Sequence, residues 1–358
     1  MFKAMVGWDI GGAHLKAVLL NSDGHVVQVL QLPCPLWRGL AQLESAINNM
    51  LQAFKIKPYD AVHAVTMTGE LVDCFANRPE GVIAIATLAT KLLGEDTLFY
   101  AAHSGFVRLE EVNRLTNEIA SANWHASASA LAMQVGDALF IDIGSTTTDI
   151  ITIESGKVKT TALSDAARMR DDSLVYTGVV RTPIMALAQK IPFAGNLVNV
   201  AAEHFATTAD VYTLTGDLPL ADNRAETADG ADKSVEASAQ RLARMIGWDA
   251  QDAPLSAWRN LAYAFKQVQL KQIKQATLRQ ISLLKDGSSL LIVGAGAGDF
   301  LVHELTKQLG FKYEPIANLM VAGSDETSNM TSVCFPAYAV ASLASTWLAK
   351  KQLALQNA

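Results

Sequence analysis

The feature that most constrains this 358-residue chain is an internal repeat, in which one strand–turn–strand pattern occurs twice. In the first copy, residues 5–20, two apolar runs flank the turn sequence DIGG. In the second copy, residues 138–153, two apolar runs flank DIGS. Short apolar runs bounded by glycine turns are typical of buried strands. The repetition therefore predicts two related halves, each with a strand that ends in an aspartate and a glycine turn.

The rest of the chain alternates between strand and helix patterns. Predicted strands lie at 25–32, 61–66, 97–101, 105–109, 289–293 and 318–322, and predicted helices at 39–54, 81–93, 110–121, 126–135, 299–309 and 335–350. The stretch 165–285 is mostly helical in pattern, with a polar loop at 222–236. Groups of strands followed by helices, occurring twice, predict an α/β fold. We expect a first domain at 1–125 and a second at 126–358 that contains the helical insertion.

Composition excludes several classes of protein. The chain has 29 basic and 35 acidic residues, a net charge of −6, which argues against wholesale binding to nucleic acid or to anionic membrane. Its three cysteines, Cys34, Cys74 and Cys334, are too far apart for a disulfide framework or a zinc finger, and they fit a reducing cytoplasm. No leader peptide is expected at the N-terminus. The uncharged segment 329–349 contains Pro336 and many small residues, so a buried helix is expected there rather than a membrane span.

The two glycine turns have the chemistry of phosphate sites. Glycine permits a tight turn whose N–H groups converge, and such a nest binds anionic oxygens. The aspartate that ends each strand, Asp9 or Asp142, could hold Mg²⁺ beside the phosphates, and Lys16 could reach back as a point charge. The predicted phosphate-binding residues are Asp9, Gly11, Gly12, Ala13 and His14 in the first turn and Gly144, Ser145, Thr146 and Thr147 in the second.

A third glycine turn follows the predicted strand 289–293. Its sequence, GAGAG at 294–298, is followed by a helix, and Gly294 and Gly296 are its predicted ligand contacts. A dinucleotide fingerprint would require glycine where Asp299 stands, so a Rossmann site is not expected.

The three turns in this order resemble the actin, Hsp70 and sugar-kinase superfamily. That resemblance spans the chain and implies two ribonuclease-H-like domains, with ligand in the cleft between them. In this comparison the first two turns resemble the phosphate loops and 290–298 resembles the adenosine loop. Lys16 matches a phosphate-contacting lysine of some members.

A narrower resemblance is to a subfamily related to hydantoinase A and oxoprolinase. It rests on GWDIGGAHLK at 7–16, TMTGEL at 66–71, SANW at 121–124, DIGSTTTD at 142–149, ATTADV at 206–211 and TADG at 227–230. Bacterial members are usually labelled as tetrahydromethanopterin-linked C1-transfer proteins of methylotrophs. Archaeal relatives imply the condensing step of methanofuran biosynthesis, in which an aminomethylfuran-methyl diphosphate joins the phenol of γ-glutamyltyramine and pyrophosphate leaves.

The implied reaction directs attention to charged residues. Backbone N–H groups, Lys16 and Mg²⁺ on Asp9 or Asp142 could neutralise the leaving diphosphate. A phenol has an ordinary pKa near 10, so a general base is expected, and the candidates are Glu70, His125, Glu203 and Asp210. We select Lys16, Asp142, Glu70 and Asp210 as the predicted catalytic residues.

Structural explanations compete with each of these assignments. Glu70 could cap a helix, Asp210 could form a turn, His125 could start a helix, and Asp149 could stabilise a hairpin or bind metal through water. Among Arg168, Arg170 and Arg181, the last is the predicted contact for a substrate carboxylate, because arginine binds carboxylates with two hydrogen bonds. The lysines of 263–285 are expected on a solvated helix face.

Two other functions remain open from the sequence. One is an ATP-dependent small-molecule kinase or amidohydrolase of the same superfamily, in which case ATP is a cofactor beside Mg²⁺. The other is a non-catalytic, nucleotide-gated protein that assembles with partners. The expected partners of an enzyme of this kind are a small organic diphosphate and a phenolic acceptor, with neither nucleic acid nor membrane, and a homodimer is expected.

Overall fold

The computed structural model describes residues 4–160, 162–223, 225–284, 290–320 and 330–356. The chain divides into two compact units. Unit 1 comprises Met1–Ala138, Ile153–Ala167 and Ile316–Ala358, and unit 2 comprises Leu139–Thr152 and Arg168–Pro315. Each unit therefore contains segments that are distant in sequence.

Unit 1 is built on a six-stranded sheet. Its strands are β1 (Ala4–Ile10), β2 (His14–Leu20), β3 (Val26–Pro33), β4 (Ala61–Met67), β5 (Leu98–Ala101) and β6 (Gly105–Val107). Their order is β3-β2-β1-β4-β5-β6, with β1 antiparallel to β2 and parallel to β4. The first glycine turn is therefore the hairpin between the central strand and its antiparallel neighbour.

Helices cover both faces of this sheet, which explains why β1 is buried along almost its whole length. The helices are α1 (Leu40–Phe54), α2 (Arg78–Leu93), α3 (Leu109–Val112), α4 (Thr116–Ile119), α5 (Asn123–Ala132) and the C-terminal helix (Phe335–Gln356). Trp8 and Ile10 on β1 share an apolar core with α1 and α2. On the opposite face Gly7 meets the C-terminal helix, where an added Cβ would overlap the carbonyl oxygen of Ala337. Among the residues described, no helix combines the length and apolar character needed to cross a bilayer.

Unit 2 contains the second copy of the sheet. Its strands are β7 (Ala138–Ile143), β8 (Thr148–Glu154), β10 (Leu174–Val175), β13 (Leu291–Ala295) and β14 (Lys312–Pro315), in the order β10-β8-β7-β13-β14. The last residues of β8 pair with β9 (Lys157–Val158), which is assigned to unit 1. Both sheets thus place their strands in the order third, second, first, fourth and fifth. That order is the one of a ribonuclease-H-like domain, and it confirms the predicted α/β fold with two related halves.

The described helices of the second half are α6 (Asp165–Asp171), α7 (Thr208–Thr215), α8 (Val235–Arg244), α9 (Leu255–Ile281) and α10 (Asp299–Leu309). The predicted helical region also contains a hairpin, β11 (Lys190–Phe193) and β12 (Asn196–Asn199). Its two-residue turn places Ala194 and Gly195 at positive φ, +48° and +79°, as a primed hairpin turn requires. Alanine is not a usual residue for that turn, which is why the sequence did not indicate it.

Two sequence predictions are corrected by the structure. The strand predicted at 318–322 is wrong in its described part, because residues 316–319 form a 3₁₀ turn after β14; residues 321–322 lie outside the described range. The division into units also differs from the predicted boundary at 125/126. Residues of α5 and of the C-terminal helix belong to unit 1, because the C-terminal helix packs on α5 and β1.

Candidate active site

The first glycine turn, residues 11–13, exposes backbone donors. The Gly11 N–H donates to the His14 carbonyl at 3.0 Å, and the carbonyls of Gly12 and Ala13 accept from the next loop. Within the described part of the chain, the N–H groups of Gly12 and Ala13 have no acceptor. Two adjacent unpaired N–H groups at a half-exposed turn are suited to bind an anion.

Asp9 lies behind this turn in a row of polar side chains. The strand register pairs Asp9 with Lys16 on β2 and with Thr66 on β4, so the three side chains share one face of the sheet. Asp9 is buried, and neither its Oδ1 nor the Thr66 hydroxyl has a hydrogen-bond partner among the described residues. Burial raises the pKa of Asp9, and the Lys16 ammonium opposes that shift. The Lys16 Nζ donates to the Val333 carbonyl at 2.9 Å, which leaves further N–H donors on the same ammonium.

The unpaired Asp9 oxygen is suited to be a ligand of a cation. Carboxylate oxygens are preferred by Mg²⁺, which usually keeps several waters and uses only one or two protein carboxylates. Among the described residues, no group of three or more histidine, cysteine, aspartate or glutamate side chains is arranged to hold a metal ion. Asp9 therefore fits a magnesium ion that is shared with a phosphate ligand, and does not fit an all-protein cage.

Glu70 is a second buried carboxyl group in unit 1. It follows β4 in a 3₁₀ turn whose Gly69 packs on the first glycine turn: an added Cβ on Gly69 would lie 3.3 Å from the Gly11 carbonyl oxygen. The Glu70 side chain is 1% exposed. Its Oε1 accepts a hydrogen bond from the Ser121 hydroxyl at 2.7 Å, and its Oε2 has no partner among the described residues. Burial raises the pKa of Glu70 to about 7, although the Ser121 hydrogen bond opposes the shift.

The second glycine turn, residues 144–147, is supported by hydrogen bonds from the backbone of residues 179–181. Gly144 N–H closes the turn onto the Thr147 carbonyl at 2.9 Å, and the carbonyls of Gly144 and Ser145 accept from the backbone of 179–181. In the described residues, the N–H groups of Ser145, Thr146 and Thr147 have no acceptor. Residues 145–147 thus provide three successive unpaired N–H donors and also carry three hydroxyl groups, so this turn offers an anion more donors than the first.

The third glycine turn packs against the end of the strand that leads into the second turn. Gly296 has φ +84°, and an added Cβ would overlap both the Asp142 carboxylate and the Ile143 carbonyl oxygen. Gly298 donates its N–H to that same carbonyl at 2.8 Å. Asp142 therefore lies beside the third turn and two residues before the second, and its role as a ligand stays a prediction. Asp299, the residue that stands where a dinucleotide fingerprint needs glycine, accepts from the Tyr313 hydroxyl at 2.6 Å.

Gly178 supports the second turn and gives a direct test of it. An added Cβ there would lie 2.5 Å from the Thr146 nitrogen and 2.6 Å from the Gly144 oxygen. We expect Gly178→Ala to displace the turn, to lower the free energy of unfolding by about 1–3 kcal/mol and to weaken anion binding. Chemical denaturation and isothermal titration with pyrophosphate measure the two effects. Gly136→Ala, where a Cβ meets nothing within 4 Å, is the control and should change neither.

Several predicted residues have structural partners instead. Asp210 occupies the third position of α7, caps it through the Thr207 N–H at 2.9 Å, and pairs with the buried Arg241 at 2.8 Å. Asp149 pairs with the buried Arg168 at 2.7 Å. His125 is buried and lies 2.8 Å from the Tyr100 hydroxyl.

The remaining two predicted site residues, Glu203 and Arg181, lie on the surface. Glu203 is exposed, and so is the Arg181 side chain, although the Arg181 N–H donates to the Ser145 carbonyl at 2.8 Å and so places that residue beside the second turn.

Sequence reasoning did not select three residues that the structure places at these turns. Ser121 and Thr66 lie in strings that the family resemblance quotes, SANW and TMTGEL, but their roles depend on contacts with Glu70 and Asp9 that no local pattern indicates. Gly178 has no sequence signal, since its close approach to residues 144–146 is purely tertiary.

The fold and the three glycine turns define the class of protein, and sequence comparison agrees. The chain belongs to the hydantoinase/oxoprolinase family, whose pattern matches residues 61–344. Among characterised relatives, it is 31% identical over 343 residues to the Methanocaldococcus jannaschii (4-{4-[2-(gamma-L-glutamylamino)ethyl]phenoxymethyl}furan-2-yl)methanamine synthase, covering 95% of this chain and 97% of that protein. The Methanococcus vannielii protein of the same name is 29% identical over 175 residues, 48% of this chain and 78% of that protein.

Solved structures agree with the fold. A nucleotide-free structure of acetone carboxylase superposes with a TM-score of 0.55 at 11% identity, covering 87% of this chain and 68% of that one. At this level of identity the similarity concerns the fold alone.

Proposed function

We propose that this chain is a synthase of methanofuran or methylofuran biosynthesis. It joins an aminomethylfuran-methyl diphosphate to the phenol oxygen of a γ-glutamyl-tyramine or tyrosine-type acceptor and releases pyrophosphate. The observation that carries the proposal is the identity of 31% with a synthase over 95% of the chain. The compound named in that relative's activity contains a phenoxymethyl-furan unit, which is the aryl ether that this reaction would form. We expect the enzyme to act in the cytoplasm, as part of one-carbon metabolism.

The chemistry is a substitution at the furan-bound CH₂ group. The bond between that carbon and the diphosphate oxygen breaks, the phenol oxygen forms a new bond to the carbon, and the phenol gives up its proton. Negative charge moves onto the leaving diphosphate, so donors aimed at its oxygens accelerate the step. In unit 1 the donors available for this purpose are the unpaired N–H groups of Gly12 and Ala13 and the Lys16 ammonium; in unit 2 they are the N–H groups of 145–147.

A divalent cation is part of the proposal. In unit 1 the residue that would hold it is Asp9, whose buried Oδ1 has no partner among the described residues; the corresponding candidate in unit 2 is Asp142, which lies beside Gly296. Bound there, Mg²⁺ would supply charge neutralisation to the diphosphate. Removal of divalent metal with a chelator should then abolish turnover, and Mg²⁺ should restore it.

The reaction can be tested with purified protein. We would mix the furan diphosphate, γ-glutamyl-tyramine and Mg²⁺, and measure pyrophosphate release and ether formation by mass spectrometry. The expected result is one ether formed per pyrophosphate released. The control acceptor is the corresponding phenethylamine, which lacks the hydroxyl group and should give no coupled product. No ether with either a tyramine or a tyrosine acceptor would contradict the proposal.

A second candidate is an ATP-dependent kinase or amidohydrolase. It is favoured by one observation: the glycine loop 294–298 packs against Asp142 and Ile143, which end the strand that leads into the turn at 144–147. ATP binding should then raise the melting temperature, and ATP should be consumed only in the presence of a small acceptor. If nucleotides cause no thermal shift while pyrophosphate does, the synthase is supported instead.

A further inference from the structure

The proposed reaction requires a proton acceptor for the phenol, and the structure distinguishes among the four side chains that could serve. Asp210 is tied to Arg241 and to the start of α7, and Glu203 is exposed to water. His125 lies in a buried aromatic environment beside Tyr100 and Trp124. Glu70 differs from all three, because one of its carboxylate oxygens is held and the other is buried and unpaired among the described residues.

We propose that Glu70 is the general base that takes the phenol proton, and that Ser121 is the positioning residue that holds it. This inference rests on the proposed function. The free Oε2 supplies the lone pair, while the Ser121 hydroxyl fixes the carboxylate through Oε1 at 2.7 Å. Glu70 follows Gly69, which packs on the first glycine turn, so the backbone of the base is one residue from a contact with the segment that is proposed to bind the diphosphate.

The backbone around Ser121 supports a functional role for the contact. Ser121 has φ +52°, a left-handed conformation that is uncommon for residues other than glycine and asparagine. It is 5% exposed, so no solvent contact accounts for the conformation. Strained residues of this kind persist where the surrounding structure requires them, and they cluster at functional sites.

Two charged groups shift the pKa of Glu70, and they do so in opposite directions. Arg78, at the start of α2, lowers the pKa of Glu70, and Asp165 raises it, but these two groups form an ion pair with each other at 2.8 Å. Burial therefore dominates and brings the pKa to about 7. A base with a pKa near the working pH combines a useful ionised fraction with the strength to accept a proton.

The test compares acceptors whose phenols differ in acidity. Glu70→Gln keeps the shape of the side chain and removes the base, so the rate with γ-glutamyl-tyramine should fall by about 100-fold or more. A ring-fluorinated acceptor whose phenol is already ionised at the assay pH does not need the base. With that acceptor, the rate of the variant should return to within about tenfold of the wild type.

The outcomes separate the two proposals. If wild-type protein forms no ether with either acceptor, the proposed function fails. If wild type forms the ether and Glu70→Gln remains near the wild-type rate, or loses the same factor with both acceptors, Glu70 is not the base. Circular dichroism checks that the variant is folded, and we expect it to be, because the substitution removes a buried charge.

Ser121→Ala is the second variant and tests positioning. Loss of the hydrogen bond that lowers the pKa of Glu70 should raise that pKa, so the rise of kcat/KM with pH should move to higher pH, while the rate at high pH is largely kept. A merely structural serine would not move the profile. Ser127→Ala is the matched control, because it also removes a buried hydroxyl group, in this case one on α5. If the rise of kcat/KM with pH occurs at the same pH in Ser121→Ala as in the wild type, Ser121 is not a positioning residue.

Discussion

Asp9→Asn should lower kcat/KM for ether formation by about 100- to 1000-fold while leaving the protein as stable as the wild type or more stable. The loss is expected because Asp9 supplies the unpaired buried oxygen beside the first anion nest. The gain in stability follows from the pKa of Asp9, which burial raises above its ordinary value of 3.8. A carboxyl group of this kind stabilises the fold at low pH, and that contribution is lost as the pH rises and the group must ionise. Asparagine keeps the shape without the charge.

The measurements are steady-state kinetics and thermal unfolding at pH 7. Asp96→Asn, at a side chain that is 84% exposed, is the control and should change neither quantity. A stable Asp9→Asn variant with near-normal turnover would show that the first glycine turn is not part of the active site. Lys16→Ala and Asp142→Ala should also lower turnover without unfolding the protein, since each lies at one of the two anion nests.

Asp210→Ala should have the largest effect on stability, a loss of about 3–5 kcal/mol in the free energy of unfolding. Asp210 is buried, and its removal leaves the guanidinium of Arg241, which is itself fully buried, without its nearest carboxylate. It also removes the cap of α7, because the Thr207 N–H loses its acceptor. Denaturation with urea, followed by circular dichroism, measures the change.

The matched control is an exposed ion pair of similar length. Glu111 lies 3.0 Å from Arg114 at the surface, so Glu111→Ala should cost less than about 1 kcal/mol. If Asp210→Asn instead abolished activity and left stability unchanged, Asp210 would be a catalytic residue, as the sequence analysis suggested, and the structural assignment would be contradicted.

The architecture was largely predictable because it depends on local signals. Short apolar runs beside glycine turns marked β1, β2, β7 and β8 within one or two residues of their observed ends. Two elements were missed. The hairpin turn Ala194-Gly195 contains an unusual turn residue, and β14 with the 3₁₀ segment after it does not follow the average preferences of its sequence. Domain membership of the C-terminal helix depends on long-range packing and was not predictable.

The candidate site was predictable in outline and not in its assignments. The glycine turns carry a recognisable backbone requirement, so their positions could be read from the sequence, and their role in ligand binding stays a prediction. The general base was not predictable, because the free oxygen of Glu70 and the ion pair of Asp210 depend on Ser121 and Arg241, which are 51 and 31 residues away. Burial decides which carboxyl group stays unpaired, and no local pattern in the sequence indicates burial by distant segments.

The closeness of Gly7 to the C-terminal helix has a consequence for biosynthesis of the chain. One face of the first sheet is covered by the helix Phe335–Gln356, which is synthesised long after β1, and the two are so close that no side chain fits at position 7. The nascent β1–β2 hairpin can form early, but this face of its sheet stays uncovered until that helix has been made. We therefore expect the chain to depend on chaperones during synthesis, and truncation before Phe335 to yield aggregation-prone products.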